Sequence, residues 1–412
     1  MTHESTLTLM ARTTKGSGRF PVRQGAGVLF PGQAVDAGIL AGHLAGYALR
    51  GELHGGTRPQ FLDGSNVGSL HVKPVKGHGK VQHIVGIWIE PEMVNPKSEL
   101  YEQHKDWVIH LPNRDEYYFR NQMVLDLSNP KVQDFVFGVV DGLMTEYPGI
   151  AYFKWDCNSP ITNIYSPYLK DRQTHLYVDY VRGLYKVLDR IKAKYPKLPM
   201  MLCSGGSGRI DYEALKYFTE FWASDNTDPI GRLFIQYGYS FFYPAKSMSA
   251  HVTTWNKDAS IKFRTDVAMM GKLGFDIKLT DMSGDELTYC QQAIKNYKRL
   301  RPAIMEGDMY RLVSPYSCNH AATQFVAKGA DKAVVFAFDV YPAYGEHRTP
   351  IRLEGLNPDK RYKVTEINMM PGQGSWLEGN GQTFSGDCLM TAGLNLFTGN
   401  KLYSRVIEIT AE

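Results

Sequence analysis

Between residues 84 and 277, short apolar runs end repeatedly in polar or charged residues. Six such runs begin at Ile84, Ile150, Met200, Phe221, Ser247 and Gly274. Runs of this length are typical of buried strands, and several of the intervening segments carry apolar residues at helical spacing. Strands that alternate with helices predict an α/β fold with a parallel sheet and right-handed crossovers. Because each strand ends in polar residues, we expect a (β/α)8-type TIM barrel with one working edge.

Helix start and stop signals support this pattern. One helix is predicted to begin after Asn129, with Pro130 at its first position. A long helix follows whose apolar face is formed by Tyr177, Val181, Leu184, Leu188 and Ile191. Another is predicted to begin at a capping box of Ser283 and Glu286 and to end at Pro302.

After about Val313 the pattern changes to short strands separated by turn formers. The predicted strands cover residues 333–338, 349–353, 362–367, 388–394 and 405–409. Strands of this length and spacing predict a small C-terminal antiparallel β-sandwich. We expect it to pack against the barrel and to take no part in the chemistry.

The first 83 residues differ from the rest of the chain. Glycine makes up 15 of the first 82 residues but only 24 of the remaining 330, and no strand or helix period is visible. We predict three segments: an atypical glycine-rich segment at 1–83 that is disordered or not native to the protein, a barrel catalytic domain at 84–312, and a β-sandwich domain at 313–412.

Charge and composition exclude several classes of protein. Residues 1–82 carry nine Lys/Arg against four Asp/Glu, whereas the remainder carries 37 against 38. The near-neutral bulk argues against nucleic acid as a partner. No apolar run reaches the length of a membrane span, so no membrane partner is expected. Five widely spaced cysteines fit neither a zinc site nor a disulfide framework, and they favour a cytoplasmic location.

Two aspartates are the best candidates for chemistry. Asp156 and Asp225 each follow a predicted strand directly, so both side chains are expected at the same edge of the barrel. Two carboxylates across a pocket are what retaining glycoside hydrolysis needs, one as nucleophile and one as acid and then base. Lys154 would favour the ionised form of Asp156. Tryptophans at strand ends (Trp88, Trp155, Trp222) offer flat apolar faces that suit a sugar ring.

Other chemistries fit less well. A metal site could be assembled from Glu90, Asp126, Asp156 and Asp281, but the lysine and arginine beside those acids argue against it. The glycines at 205, 206 and 208 lack the residues of a phosphate loop, and a close approach of backbone to a sugar explains them better. No metal and no cofactor is expected.

Five phrases in order resemble glycoside hydrolase family 36, the α-galactosidases. They are residues 86–95 (GIWIEPEMVN), 120–126 (RNQMVLD), 154–158 (KWDCN), 203–206 (CSGG) and 224–228 (SDNTD). The resemblance implies a retaining α-galactosidase that acts on melibiose- or raffinose-type sugars. It makes Asp156 the nucleophile and Asp225 the acid/base. It places on the sugar the residues Trp88, Arg120, Lys154, Asn158, Cys203 and Gly205, with Asp228 and Arg232 as nearby support. Trp222 joins the predicted binding residues because of its place at a strand end.

The chain differs from this family near its N-terminus. Family members carry an Asp-Asp-Gly-Trp phrase on an earlier barrel strand, and no such phrase occurs here. Only six barrel strands are accounted for, so the barrel is expected to be incomplete, and a shifted reading frame would explain residues 1–83. Two alternatives stay open: a galactosyl-transferring enzyme of the same fold, and an inactive sugar-binding remnant. Exposed strand edges also suggest a homo-oligomer.

Overall fold

The computed structural model describes residues 8–11, 84–162, 164–346 and 348–412. It divides into two compact units, and among the described residues the first unit holds 8–11 and 84–222 while the second holds 223–412. The predicted limits at 84–312 and 313–412 remain predictions. The prediction for 1–83 lies outside the described residues except for one strand, Thr8–Ala11.

The first unit is built on parallel strands. The strands in chain order are β1 (Thr8–Ala11), β2 (Ile84–Ile89), β3 (Met93–Val94), β4 (Met123–Val124), β5 (Ile150–Trp155), β6 (Met200–Leu202) and β7 (Glu220–Trp222). Five of them lie side by side in the order β1-β2-β5-β6-β7, and the pairings β1–β2, β2–β5, β5–β6 and β6–β7 are parallel. Strands β3 and β4 form a separate antiparallel pair. The register places Trp88 opposite Lys154, near the carboxyl ends of β2 and β5.

Three helices accompany these strands: α1 (Glu99–Gln103), α2 (Pro130–Glu146) and α3 (Leu176–Lys194). Helix α2 begins as predicted, because the Asn129 side chain accepts from the Lys131 amide. Helix α3 has a different buried face from the one predicted. Tyr177 and Val181 are exposed, and the buried face is formed by Leu176, Tyr180, Leu184, Val187, Leu188 and Ile191.

The second unit opens with helices and two more parallel strands. They are α4 (Pro229–Tyr239), β8 (Met248–Thr253), α5 (Ile261–Ala268), β9 (Lys272–Asp276) and α6 (Gly284–Glu306). Strands β8 and β9 are parallel neighbours. Both halves of the predicted capping box at Ser283 and Glu286 are formed at the start of α6. The helix does not end at Pro302 as predicted, since it continues one further turn to Glu306.

The second unit ends in an antiparallel sheet. Its elements are β10 (Asp308–Val313), β11 (His320–Val326), β12 (Lys332–Asp339), β13 (Arg361–Ile367), β14 (Thr383–Ser385), α7 (Gly386–Thr391) and β15 (Tyr403–Ala411). The six strands lie in the order β10-β11-β12-β15-β13-β14. The predicted strand at 388–394 is wrong, because Ser385 caps a short helix by accepting from the Cys388 amide. The predicted strand at 349–353 is reduced to a single bridge at Ile351.

Both faces of the antiparallel sheet are covered within the second unit. Alternate residues of β12 face opposite sides, as the two-residue period of a strand requires. Val334, Phe336 and Phe338 pack with residues of α5 and α6, and Phe263 of α5 lies edge-on to Phe338 at 5.5 Å. Val335 faces the other side, where Leu353 and Leu389 contribute to a second apolar cluster.

All six strands predicted between residues 84 and 277 are present in the described chain. Within the same described ranges, every helix is either too short or too polar to cross a bilayer.

Candidate active site

Asp156 lies at the carboxyl end of β5, and only 1% of its surface is exposed. Its amide donates to the carbonyl of Ile89 at 2.9 Å, which links the end of β5 to the end of β2. One carboxylate oxygen, Oδ1, accepts from the Cys157 amide at 2.9 Å. The strand end and the backbone contacts therefore hold this carboxylate in a fixed position.

Lys154 lies on β5, two residues before Asp156. Its ammonium nitrogen lies 4.2 Å from the centre of the Trp88 ring and 5.0 Å from that of the Trp222 ring. Contacts of this kind stabilise a buried cation through the ring electrons. Three predicted site residues on three strands are thus brought together. Trp155, in contrast, is fully buried and packs on Phe218, so the prediction that it faces a sugar is wrong.

Asn158 joins two neighbouring segments of the site. Its side-chain nitrogen donates to Glu90 Oε1 at 3.1 Å, and its side-chain oxygen accepts from the Gly205 amide at 2.8 Å. Glu90 also accepts from Gln122 at 2.6 Å. Gly205 has φ of +59°, a conformation that glycine adopts with little cost. The amide of Asn158 therefore fixes the glycine loop that follows β6.

Cys203 is buried directly after β6, where its amide donates to the carbonyl of Trp155 at 2.8 Å. Its side chain lies in an apolar cluster with Tyr152, Met201 and Trp222. The neighbouring Cys157 is also buried, and burial, followed by the charge of Glu92, raises the pKa of its thiol to about 12. Cys157 therefore remains a neutral thiol near neutral pH, which excludes it as a nucleophile.

Arg120 occupies a tight turn on the surface. Phe119 and Gln122 exchange backbone hydrogen bonds of 3.2 and 3.1 Å around it. Arg120 and Asn121 between them have φ of +56° and +59°, as the central residues of a type I′ turn require. The structure leaves the Arg120 side chain exposed on this turn.

In the second unit, Asp225 is exposed and lies near Arg232. Arg232 is buried, and its guanidinium donates to the carbonyl of Ser249 at 3.4 Å. Burial lowers the pKa of Arg232 to about 10, and the charge of Asp225 acts in the opposite direction. Asp225, the predicted acid/base, therefore lies close to a positive charge.

Asp228 caps helix α4. Its Oδ1 accepts from the amides of Ile230 and Gly231 at 2.8 and 3.1 Å, and its Oδ2 accepts from Asn256 at 2.8 Å. These bonds satisfy amides at the start of the helix that have no partner within it. The structure gives Asp228 a clear supporting role at the start of α4.

Sequence reasoning missed a buried ionic group beside Asp156. Glu92 has no exposed surface, and its carboxylate accepts from Arg209 at 2.7 and 2.9 Å. It also accepts from the indole nitrogen of Trp155 at 2.7 Å and from the Tyr180 hydroxyl at 2.5 Å. The only signal in the sequence was a Glu inside an apolar phrase, because its partner Arg209 lies 117 positions away.

Asp126, one of the acids considered for a metal site, holds neighbouring segments through hydrogen bonds. Asp126 is fully buried and accepts from the Ser128 amide and hydroxyl at 3.0 and 2.5 Å, and from the Ser166 hydroxyl. Among the residues that the structure describes, no group of three or more His, Cys, Asp or Glu side chains is arranged to hold a metal ion.

Two family models match the chain. The model described as Melibiase matches residues 71–307, and the one described as Glycosyl hydrolase family 36 C-terminal domain matches residues 320–409. Alpha-galactosidase AgaA of Geobacillus stearothermophilus is 38% identical over 317 residues, which is 76% of this chain and 41% of AgaA. Alpha-galactosidase 1 of Pediococcus pentosaceus is also 38% identical over 317 residues, covering 73% of this chain and 43% of the relative. The chain thus spans about two fifths of the length of these relatives.

Solved structures show the same likeness. A crystal structure of an AgaA variant in complex with raffinose matches with a TM-score of 0.73 and 36% identity, covering 80% of this chain and 45% of that one. Another AgaA variant, in complex with stachyose, matches with the same scores and coverage. The likeness confirms the predicted fold class: an incomplete TIM barrel followed by a C-terminal antiparallel β domain.

Proposed function

The chain belongs to glycoside hydrolase family 36, and from that membership we propose that it is a retaining α-galactosidase. It would release terminal α-galactosyl residues from oligosaccharides of the raffinose and melibiose type. The observation that carries the proposal is the Melibiase match across residues 71–307, which includes both candidate aspartates. Raffinose and stachyose are bound in structures of the AgaA relative, and both are galactosides of the proposed class.

Asp156 is assigned as the nucleophile and Asp225 as the acid/base. In a double displacement, the Asp156 carboxylate attacks the anomeric carbon while Asp225 protonates the leaving oxygen. Asp225 then removes a proton from water, which attacks the galactosyl-enzyme and restores the original configuration. The rigid, buried setting of Asp156 and the exposure of Asp225 support these roles, because a nucleophile needs fixed geometry and an acid/base exchanges protons with solvent.

The remaining site residues are assigned to sugar binding. Trp88, Lys154 and Trp222 form a compact aromatic and cationic group at the ends of β2, β5 and β7. The Asn158 amide and the Gly205 backbone offer polar groups for sugar hydroxyls. Three further residues complete the proposed binding set: Arg120, Cys203 and Asp228.

Azide rescue of the full chain tests the two catalytic roles with p-nitrophenyl α-galactoside. Wild type should release nitrophenol, and Asp156→Ala and Asp225→Ala should each lose about 100-fold or more. Added azide should then give β-galactosyl azide with Asp156→Ala, because azide attacks the open face. With Asp225→Ala it should give α-galactosyl azide, because azide opens the galactosyl-enzyme. Asp134→Ala, which removes an exposed carboxylate, should behave as wild type.

Two results would overturn the hydrolase assignment. Absence of turnover by folded wild type that still binds galactose would make the chain a sugar-binding protein. Galactose transferred from raffinose to a second sugar, with little free galactose released, would make it a transferase.

We further propose a cytoplasmic location and self-association. Cys157 and Cys290 form no disulfide and are buried, which suits a reducing compartment. Light scattering on the purified chain measures the association state, and a monomer at all concentrations would refute self-association.

A further inference from the structure

Glu92 occupies an unusual position for a carboxylate. Its side chain has no exposed surface, yet three side chains from different parts of the first unit donate to it. The donors are the Trp155 indole on β5, the Tyr180 hydroxyl on α3, and the Arg209 guanidinium on the loop after β6. A buried carboxylate is costly unless its charge is paired and its oxygens accept hydrogen bonds, and here both conditions are met.

The protonation states of the donors agree with this arrangement. Burial raises the pKa of the Tyr180 hydroxyl well above its usual value, and the charge of Glu92 raises it further. Burial disfavours the charge on Arg209, but the charge of Glu92, followed by those of Cys157 and Tyr180, acts in the opposite direction, and together they raise the arginine pKa. Tyr180 therefore stays a neutral donor and Arg209 stays a cation.

The contacts of Glu92 lead directly to the proposed nucleophile. Trp155 immediately precedes Asp156, so the bond from its indole to Glu92 fixes the last residue of β5. The backbone continues this restraint, because the Trp155 carbonyl accepts from the Cys203 amide and the Asp156 amide donates to Ile89. Arg209 adds a second link, since it lies in the loop that follows Gly205 and also donates to the Cys203 carbonyl at 3.5 Å.

We propose that Glu92, paired with Arg209, is a positioning residue that holds the Asp156 carboxylate and the Gly205 loop in their reactive arrangement. Glu92 touches no substrate in this role and acts through Trp155. The inference rests on the proposed function, because it assigns Asp156 a reactive geometry that has to be maintained.

The test compares Glu92→Gln with the double variant Glu92→Gln/Arg209→Gln in the full chain. The single variant leaves the partly buried guanidinium of Arg209, whose side chain is 21% exposed, without its counter-charge and is expected to unfold at a lower temperature. The double variant removes both charges and should recover much of the melting temperature. If Glu92 positions Asp156, both variants should lose about 100-fold in kcat, with KM within about threefold of wild type, because a misplacement of about 1 Å has this effect.

A matched control separates positioning from general stability. Lys262 and Asp266 form another buried ion pair, with a distance of 2.6 Å, in the second unit. Asp266→Asn should lower the melting temperature and leave the kcat of the folded protein near the wild-type value. If the double variant recovers its melting temperature together with wild-type kcat, Glu92 has only a structural role and the inference is wrong.

Amide hydrogen exchange gives a readout that does not require turnover. The Asp156 and Cys203 amides should exchange about tenfold faster or more in the double variant, and should be unchanged in Asp266→Asn. If wild type lacks activity but the exchange result holds, the proposed function fails and the positioning role of Glu92 stands. Unchanged exchange at both amides would overturn the inference whatever the activity.

Discussion

Replacing Gly183 with alanine should destabilise the protein, although alanine is the better helix former. Gly183 lies in the middle of α3, where a Cβ would come within 1.8 Å of the Leu127 carbonyl oxygen. It would also lie 2.7 Å from the carbonyl carbon of Leu127 and 3.0 Å from Gln133 Nε2. Ordinary carbon contacts are about 3.5 Å, so the helix and the Leu127 backbone have to separate by more than about 1 Å.

The expected cost follows from three contributions. Helix propensity favours alanine over glycine by about 1 kcal/mol. Overpacking a close contact costs about 1–3 kcal/mol. The shift also strains the buried hydrogen bond from Gln133 to the Leu127 carbonyl, now 2.9 Å, whose loss costs about 1–3 kcal/mol. The net change is a destabilisation of about 3 kcal/mol, or a melting temperature lower by about 5–10 °C.

Thermal unfolding followed by circular dichroism measures this effect. Gly142→Ala is the matched control, because Gly142 also lies inside a helix, α2, and no atom outside that helix's own backbone lies within 4 Å of its added Cβ. That variant should be more stable by up to about 1 kcal/mol. A Gly183→Ala protein that melts at or above the wild-type temperature would refute the steric argument.

Three further outcomes are expected. Burial, followed by the charges of nearby glutamates, raises the pKa of Tyr152 and Tyr180 well above the usual value, so the folded state retains these protons. The stability that these two tyrosines contribute is therefore complete below pH 10 and is lost as the pH rises above 10. The melting temperature should fall in that alkaline range. If the two tyrosines ionise, as read by tyrosinate absorbance, before the protein unfolds, this expectation is wrong. Iodoacetamide at pH 8 should alkylate the exposed Cys318 and leave the buried Cys157 unmodified, which peptide mass spectrometry measures. Rapid alkylation of Cys157 in the folded protein would contradict this prediction. Asp228→Ala should cost about 1–2 kcal/mol in thermal unfolding because α4 loses its cap, whereas Asp228→Asn should cost less because asparagine caps equally well; equal losses would count against the cap.

The strands and helix starts of this chain could be predicted because their signals are local. Asn129 followed by Pro130, and Ser283 followed by Glu286, set helix starts through contacts within three residues. The six parallel strands were visible for a similar reason, since each is a short apolar run with polar residues after it. Local patterns of this kind need no knowledge of the neighbouring elements.

The errors arose where a neighbouring element decides the outcome. Tyr177 and Tyr180 are three positions apart on α3, so the sequence allows either to begin the apolar face. The packing buries Tyr180, whose hydroxyl reaches Glu92, and leaves Tyr177 exposed. In residues 388–394 the apolar content suggested a strand, but the cap at Ser385 begins a helix.

The candidate site likewise contains some residues that the sequence predicted and others that it did not. Asp156 was predicted from its place after a strand and Asn158 from the family resemblance, and both lie where the strand end brings them. The ion pair of Glu92 and Arg209 was not predicted, because no spacing rule connects residues 117 positions apart. The positions of candidate reactive groups were thus visible in the sequence, whereas the buried contacts that support them depend on the tertiary fold.

Two aspartates in the motif at residues 224–228 differ in their surroundings. Asp225 and Asp228 are both carboxylates near the end of β7, and a motif alone does not separate them. Asp228 already accepts from two helix amides and from Asn256, so a proton on it would displace a hydrogen bond that holds α4. Asp225, in contrast, is exposed to solvent. A general acid has to gain and lose a proton in each cycle, and on Asp228 that exchange would disturb the helix that follows, so the role proposed for Asp225 does not pass to Asp228.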